Sequence, residues 1–155
     1  MDPNESSKVT VVYKGDNVTV GTGNKTIGTN PDTQVVLDQF YKINKETLGE
    51  FLRLEYTGFQ NSKYGNVDIG KISVSFSGWK PNYERDKYDP SGIYFNNKLT
   101  DGIWYVHSDG VTVDITLYDK KDNPIDLKDG TAYITAGSLN SKGTGSKYIE
   151  KCRNY

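Results

Sequence analysis

Cys152 is the single cysteine and His107 the single histidine in a chain of 155 residues. One cysteine excludes an internal disulfide, and with it the stapled frameworks usual in small secreted domains of animal origin. Cys152 is therefore read as an ordinary thiol. One histidine, with no ligand spacing around it, argues against a zinc site and against a histidine-activated nucleophile. His107 is expected to be a solvated residue at a strand end. No apolar run reaches the length of a membrane-spanning helix. Charge of one sign is also missing: the formal net charge is -1. No global field then favours nucleic acid or an anionic membrane. Lys80, Arg85 and Lys87 form the nearest thing to a basic patch, but Glu84, Asp86 and Asp89 interleave with them and cancel the charge. Such a cluster offers no net phosphate neutralisation, so specific nucleic-acid recognition is not expected.

What the chain does contain is turn and strand chemistry. It has 16 Gly and 12 Tyr, and only 34% hydrophobic residues. This balance fits an all-β protein with many polar turns. The clearest signal is FLRLEYTGFQNSKYGNVDIGKISVSF, residues Phe51–Phe76. Ile72, Val74 and Phe76 alternate with Ser73, Ser75 and Ser77, the period-two mark of a half-buried strand. Val111–Tyr118 repeats the pattern, with Val111, Val113, Ile115 and Leu117 inward and Thr112, Asp114 and Thr116 outward. Lys8–Tyr13 and Asn17–Val20 read as a hairpin around Lys14-Gly15-Asp16, because a Gly-Asp pair tolerates positive φ. Val35–Ile43 is favoured as a strand over a short helix by its β-branched start. Gly102–His107 and Thr131–Ala136 are further strands, with turns at Ser108-Asp109-Gly110 and Asp119–Pro124. Between Gly78 and Leu99 the alternation stops, and a long aromatic loop is expected. The predicted fold is all-β, an antiparallel β-sandwich with little or no helix. Residues 1–7 are read as a disordered polar tail, extraneous to the fold, and 8–155 as one domain.

The order of several short motifs resembles the glucan-binding protein C / antigen I/II variable-domain family of Gram-positive surface adhesins. The motifs are Tyr56-Thr57-Gly58 with Asn61-Ser62-Lys63-Tyr64, then Gly70-Lys71-Ile72-Ser73. Tyr118-Asp119 with Asn123-Pro124-Ile125-Asp126 follows, and Ser138-Leu139-Asn140 comes last. The resemblance implies a supersandwich-like fold with a cleft at one side, on the bacterial cell surface. It also implies a non-catalytic module whose partner is a polysaccharide or a host glycoprotein. Relatives also bind lipoteichoic acid or extracellular DNA, and some members hold a calcium ion at the cleft. Family domains are longer and run past the Ser138-Leu139-Asn140 segment. An exposed sheet edge and edge-strand self-association are therefore expected, or a last strand over Lys147–Cys152.

Aromatic faces stack on the C–H groups of sugar rings, and neighbouring carboxylates and amides bind hydroxyls. The candidate ligand residues are accordingly Trp79, Tyr83, Glu84, Asp86, Tyr88, Asp89, Tyr94, Asn96 and Trp104, one of Trp104 and Tyr105 being expected in the core. No cofactor is expected. The carboxylate groups Asp86/Asp89, Asp109/Asp114 and Asp119/Asp122/Asp126 are dense enough for calcium to be considered, yet none matches an EF-hand loop. The last group reads more simply as a hairpin turn. Glu84 with Asp86, or Glu55 with Asp68, has the composition of a glycosidase pair, but that chemistry needs a fixed separation across a cleft. A structural spacer module without a ligand, stiffened by a Lys–Asn isopeptide bond, is the alternative reading.

Overall fold

Alternating side chains build two facing sheets. The computed structural model describes residues 5–28, 30–82 and 91–128. Contacts divide the chain into Met1–Ile125 and Asp126–Tyr155, and the architecture below is that of the first unit. Its strands, in chain order, are β1 (Lys8–Lys14), β2 (Val18–Val20), β3 (Lys25–Ile27), β4 (Val35–Leu37) and β5 (Gln39–Ile43). They continue with β6 (Thr47–Thr57), β7 (Lys63–Tyr64), β8 (Val67–Pro81), β9 (Gly92–Phe95), β10 (Trp104–Val106) and β11 (Ser108–Asp119). Two 3-10 turns, Pro31–Thr33 and Leu99–Asp101, are the helical content among the described residues.

The first sheet has the order β1-β6-β8-β11, with β7 paired to β8; the second has the order β10-β9-β5-β2. All the pairings are antiparallel. Strands β3 and β4 form a separate two-stranded ribbon. The expected all-β antiparallel sandwich is the fold observed. Its core is shared by both sheets: Leu52, Leu54, Tyr56, Ile72, Val74 and Phe76 from the first, Val18, Ile43, Ile93 and Phe95 from the second. Each such side chain contributes about 1.5–3 kcal/mol when buried.

Several strand expectations change in detail. β1 and β2 do not form a hairpin, because β1 pairs with β6 and β2 with β5. The Gly15 turn instead carries the chain from one sheet to the other, and the Gly15 N–H donates to the Phe51 carbonyl at 2.9 Å. The expected turn at Ser108-Asp109-Gly110 lies inside β11, and the change of sheet comes at His107, where φ is 55°. Val113 sits opposite Phe76 on the core side but is 43% exposed, since no described strand flanks β11 beyond β8. β9 crosses the stretch read as loop. Its GIYF run lacks alternation because, flanked by β5 and β10, it is largely buried. Val35–Ile43 is extended, as favoured, and broken at Asp38.

Within the stretch read as a polar tail, Glu5 departs from that expectation. Glu5 is buried and accepts from the Gln60 and Asn61 N–H groups and the Ser62 hydroxyl. The Ser62 hydroxyl, then these N–H groups, hold its carboxyl below the usual range against the opposing effect of burial. The strand expected over Thr131–Ala136, the Ser138-Leu139-Asn140 segment and the Lys147–Cys152 segment lie outside the described residues.

Candidate functional site

Trp79 does not reach solvent. Its side chain is fully buried and meets Phe51 edge-on at 5.8 Å. Two bulges put it there. Between Thr112↔Ser77 and Gly110↔Lys80, β8 holds one residue more than β11. Gly78 sits at this irregularity with φ 63°, a conformation that glycine adopts without steric cost. Inward positions therefore pass from the even residues Ile72, Val74 and Phe76 to the odd residues Trp79 and Pro81. On β6 a second irregularity between Glu50 and Leu52 leaves both Phe51 and Leu52 buried. The assignment of Trp79 to a ligand surface is corrected accordingly.

Tyr94 and Trp104 do come together, directly opposite each other on β9 and β10. Phe40 faces Tyr94 from β5, so the three rings form a row on the outer face of the second sheet. That row is partly packed, and Tyr94 and Trp104 remain partly exposed. Tyr94 stacks on Phe40 at 4.2 Å, and Phe40 is itself 3% exposed. The ammonium of Lys25, on β3, stands 5.9 Å from the Trp104 ring. Asn96 donates to the Val36 carbonyl at 3.1 Å and to Asp101 at 2.8 Å, and accepts from the Lys98 N–H at 2.9 Å. Its side chain joins β4 to the turn after β9. Trp104 and Tyr105 are both partly exposed, so neither is the fully buried partner expected of the pair. Tyr83, Glu84, Asp86, Tyr88 and Asp89 lie outside the described residues.

The outer face of the first sheet is different. Registers place its side chains in cross-strand rows: Tyr13, Arg53, Ser75 and Asp114 in one, Thr10, Glu55, Ser73 and Thr116 in the next. Glu50, Ser77 and Thr112 form a third, and Lys8, Thr57, Lys71 and Tyr118 a fourth. Small serines on the central strand, between longer side chains on both neighbours, leave a valley along β8. This open groove of about 510 Å³ has Ser73, Ser75 and Ser77 on its floor. Leu48, Glu50 and Arg53 form one wall; Asp114, Thr116 and Tyr118 form the other. From Ser73 to Ser77 it runs roughly 13 Å at the usual strand rise. Leu48 stands 80% exposed on its rim, where β6 is irregular between Thr47 and Glu50.

The charges of this face are largely tied to one another. Arg53 donates through Nε and Nη2 to the two oxygens of Glu50, both at 2.6 Å. Arg53, with a smaller contribution from Ser75, holds the Glu50 carboxyl below its usual range against desolvation. Lys71 pairs with Asp122 at 2.6 Å and Glu55 at 3.4 Å, and its ammonium lies 4.3 Å from the Tyr118 ring centre. Sequence reasoning placed the serines outward without giving them a role. Three serines on alternate positions of one strand are the signal that could have found the groove.

The carboxylates do not form a metal site: among the described residues no cluster of three or more metal-ligating side chains is present. Asp119 is used by its own turn, accepting from the N–H groups of Lys121 and Asn123 at 2.8 and 2.9 Å and from the Asn123 amide at 3.0 Å. Asp122 belongs to Lys71, and Asp109 accepts from Asn82 at 2.8 Å. Glu55 and Asp68 are engaged by neighbouring lysines. Lys71 pairs with Glu55, and Lys63, then Lys120, holds the Asp68 carboxyl below its usual range.

Fold and face together define a two-sheet antiparallel β-sandwich with one polar, grooved outer face and one aromatic, covered one. No described helix is long and apolar enough to cross a membrane. The chain belongs to the glucan-binding protein C family, whose model matches residues 4–155. No curated protein and no solved structure matched it.

Proposed function

We propose that this chain is a non-catalytic carbohydrate-binding module of a bacterial cell-surface adhesin, extracellular in its setting. Its partner is a polysaccharide or the glycan of a host glycoprotein. Family membership supports the ligand class. The observation that carries the site is the serine-floored groove over β8. Hydroxyls, a guanidinium and carboxylates line it, the donor and acceptor mix that sugar hydroxyls require. Tyr118 and Leu48 supply apolar surface for ring C–H groups at its walls. Tyr83, Glu84, Asp86, Tyr88 and Asp89 are proposed as a further contact on residue type.

The test is binding to soluble glucans and a glycan array, by calorimetry or affinity electrophoresis. Ser75→Trp fills the groove floor and is expected to abolish binding, with circular dichroism and melting temperature preserved. Tyr83→Ala in parallel reports the loop contribution. No release of reducing sugar is expected. Failure to bind any glycan would overturn this reading in favour of a spacer module.

A further inference from the structure

The groove's charges are unequally engaged. Arg53, its one lining cation, is held at both ends of the guanidinium fork by Glu50. Lys71, just beyond the floor, is taken by Asp122, Glu55 and the Tyr118 ring. Lys8, in the same outer row as Lys71, is two strands from β8, roughly 10 Å at the usual strand spacing. Asp114, opposite Ser75 on the other wall, is exposed, and no ion pair or side-chain hydrogen bond engages its carboxylate among the described residues. The carboxylates Glu50 and Asp114 thus border the serine floor with a single, already paired cation between them. A ligand entering here meets hydroxyls and one uncompensated negative charge.

We propose that Asp114 sets the charge selectivity of the groove. Its carboxylate accepts hydrogen bonds from the hydroxyls of an uncharged polysaccharide. The same charge turns away chains that carry phosphate, sulfate or uronate groups. The inference rests on the groove reading above and adds to it the residue that discriminates. An anionic polymer would need a free cation at the floor, and Arg53 and Lys71 are both committed to carboxylates.

Dextran and carboxymethyl-dextran make a matched pair of probes, one neutral and one anionic. The wild-type chain is expected to bind dextran and to bind carboxymethyl-dextran at least tenfold more weakly at low salt. Asp114→Asn keeps the shape and an acceptor oxygen while removing the charge. It removes a charged acceptor and is expected to weaken dextran binding, while the affinity for carboxymethyl-dextran relative to dextran rises about tenfold, the scale of one like-charge contact near a surface. That gain should fade at about 1 M salt, where the Debye length is near 3 Å. Asp32→Asn, on the 3-10 turn at Pro31–Thr33, controls for net charge and should change neither affinity. Unaltered selectivity in Asp114→Asn overturns the proposal, as does an equal gain in Asp32→Asn. Dextran binding that survives Ser75→Trp overturns the groove and this inference but leaves carbohydrate binding standing. Binding of neither polymer overturns both.

Discussion

The two outer faces of the sandwich follow the same period-two rule and end with opposite characters. On the second sheet the outward row is Phe40, Tyr94 and Trp104. Phe40 is buried and stacked on Tyr94, Lys25 of the ribbon stands by Trp104, and Asn96 bonds to Val36. Apolar rings left outward cost free energy in water, and here they are packed against neighbours. On the first sheet the outward residues of β8 are serines, and their side of the sheet is an open groove. Phe40 is used for packing, and small polar side chains make the accessible hollow of the first sheet.

Removing buried rings should have the largest effect. Trp79→Ala and Phe40→Ala are each expected to cost roughly 3–5 kcal/mol of stability, as large-to-small aromatic changes in cores do. Chemical denaturation checks this. Glycan affinity per folded molecule should stay near wild type in both, which is the result that separates packing from recognition. A Trp79→Ala protein that remained fully stable yet lost binding would break the comparison.

Gly92→Ala comes next. An added Cβ would lie 2.3 Å from the Tyr41 carbonyl oxygen and 2.5 Å from the Phe40 ring. The ring can shift but the strand backbone cannot easily do so, and overpacking of this kind costs typically 1–3 kcal/mol. A lowered melting temperature with intact glucan binding is expected.

On the grooved face the order reverses. Ser77→Ala and Arg53→Gln should change stability by less than about 1 kcal/mol, because the Arg53–Glu50 pair is partly exposed and screened. Calorimetry should nevertheless register weaker glycan binding in both. Stability losses rivalling those of Phe40→Ala would mean that this face too is a packing surface.

The smallest expected effect is a pH dependence at Glu5. Its carboxyl is held down in the folded chain by Ser62 and the neighbouring N–H groups. A folded pKa below the unfolded one adds stability above the unfolded value, near 4.3 for an ordinary glutamate, and that stability is lost as pH falls through the folded value. Melting temperatures of the wild-type and Glu5→Gln proteins should therefore differ at neutral pH and converge on acidification. A constant gap would assign the effect to shape rather than charge.

Much of the sandwich is legible in alternation alone. Ile72, Val74 and Phe76 inward, the intervening serines outward, and the polar face of β11 all follow from period two. So does the turn at Asp119–Pro124, whose aspartate and asparagine bond to each other as turn chemistry predicts. The candidate site was far less legible. Alternation stops at Gly78, so Trp79 reads as part of an aromatic loop. One extra residue at Gly78 reverses the phase, and nothing local in a Ser-Gly-Trp sequence separates a bulge from the end of a strand. Phe51 beside Leu52 shows the same effect on β6.

By itself the sequence determined the fold class, the absence of disulfides, the polar character of one face of β8 and the family. These depend on composition, on period-two patterning and on the order of short turn motifs, all of them local properties. Tertiary structure alone decided that β1 and β2 lie in different sheets, that Trp79 belongs to the core, and that Phe40, Tyr94 and Trp104 line up in one row on the second sheet. It also decided that Glu50 spends the charge of Arg53 beside a floor of serines. Such outcomes depend on which strands become neighbours and on single-residue slips in their pairing. A period-two pattern is unchanged by its choice of neighbour, so it carries no record of either.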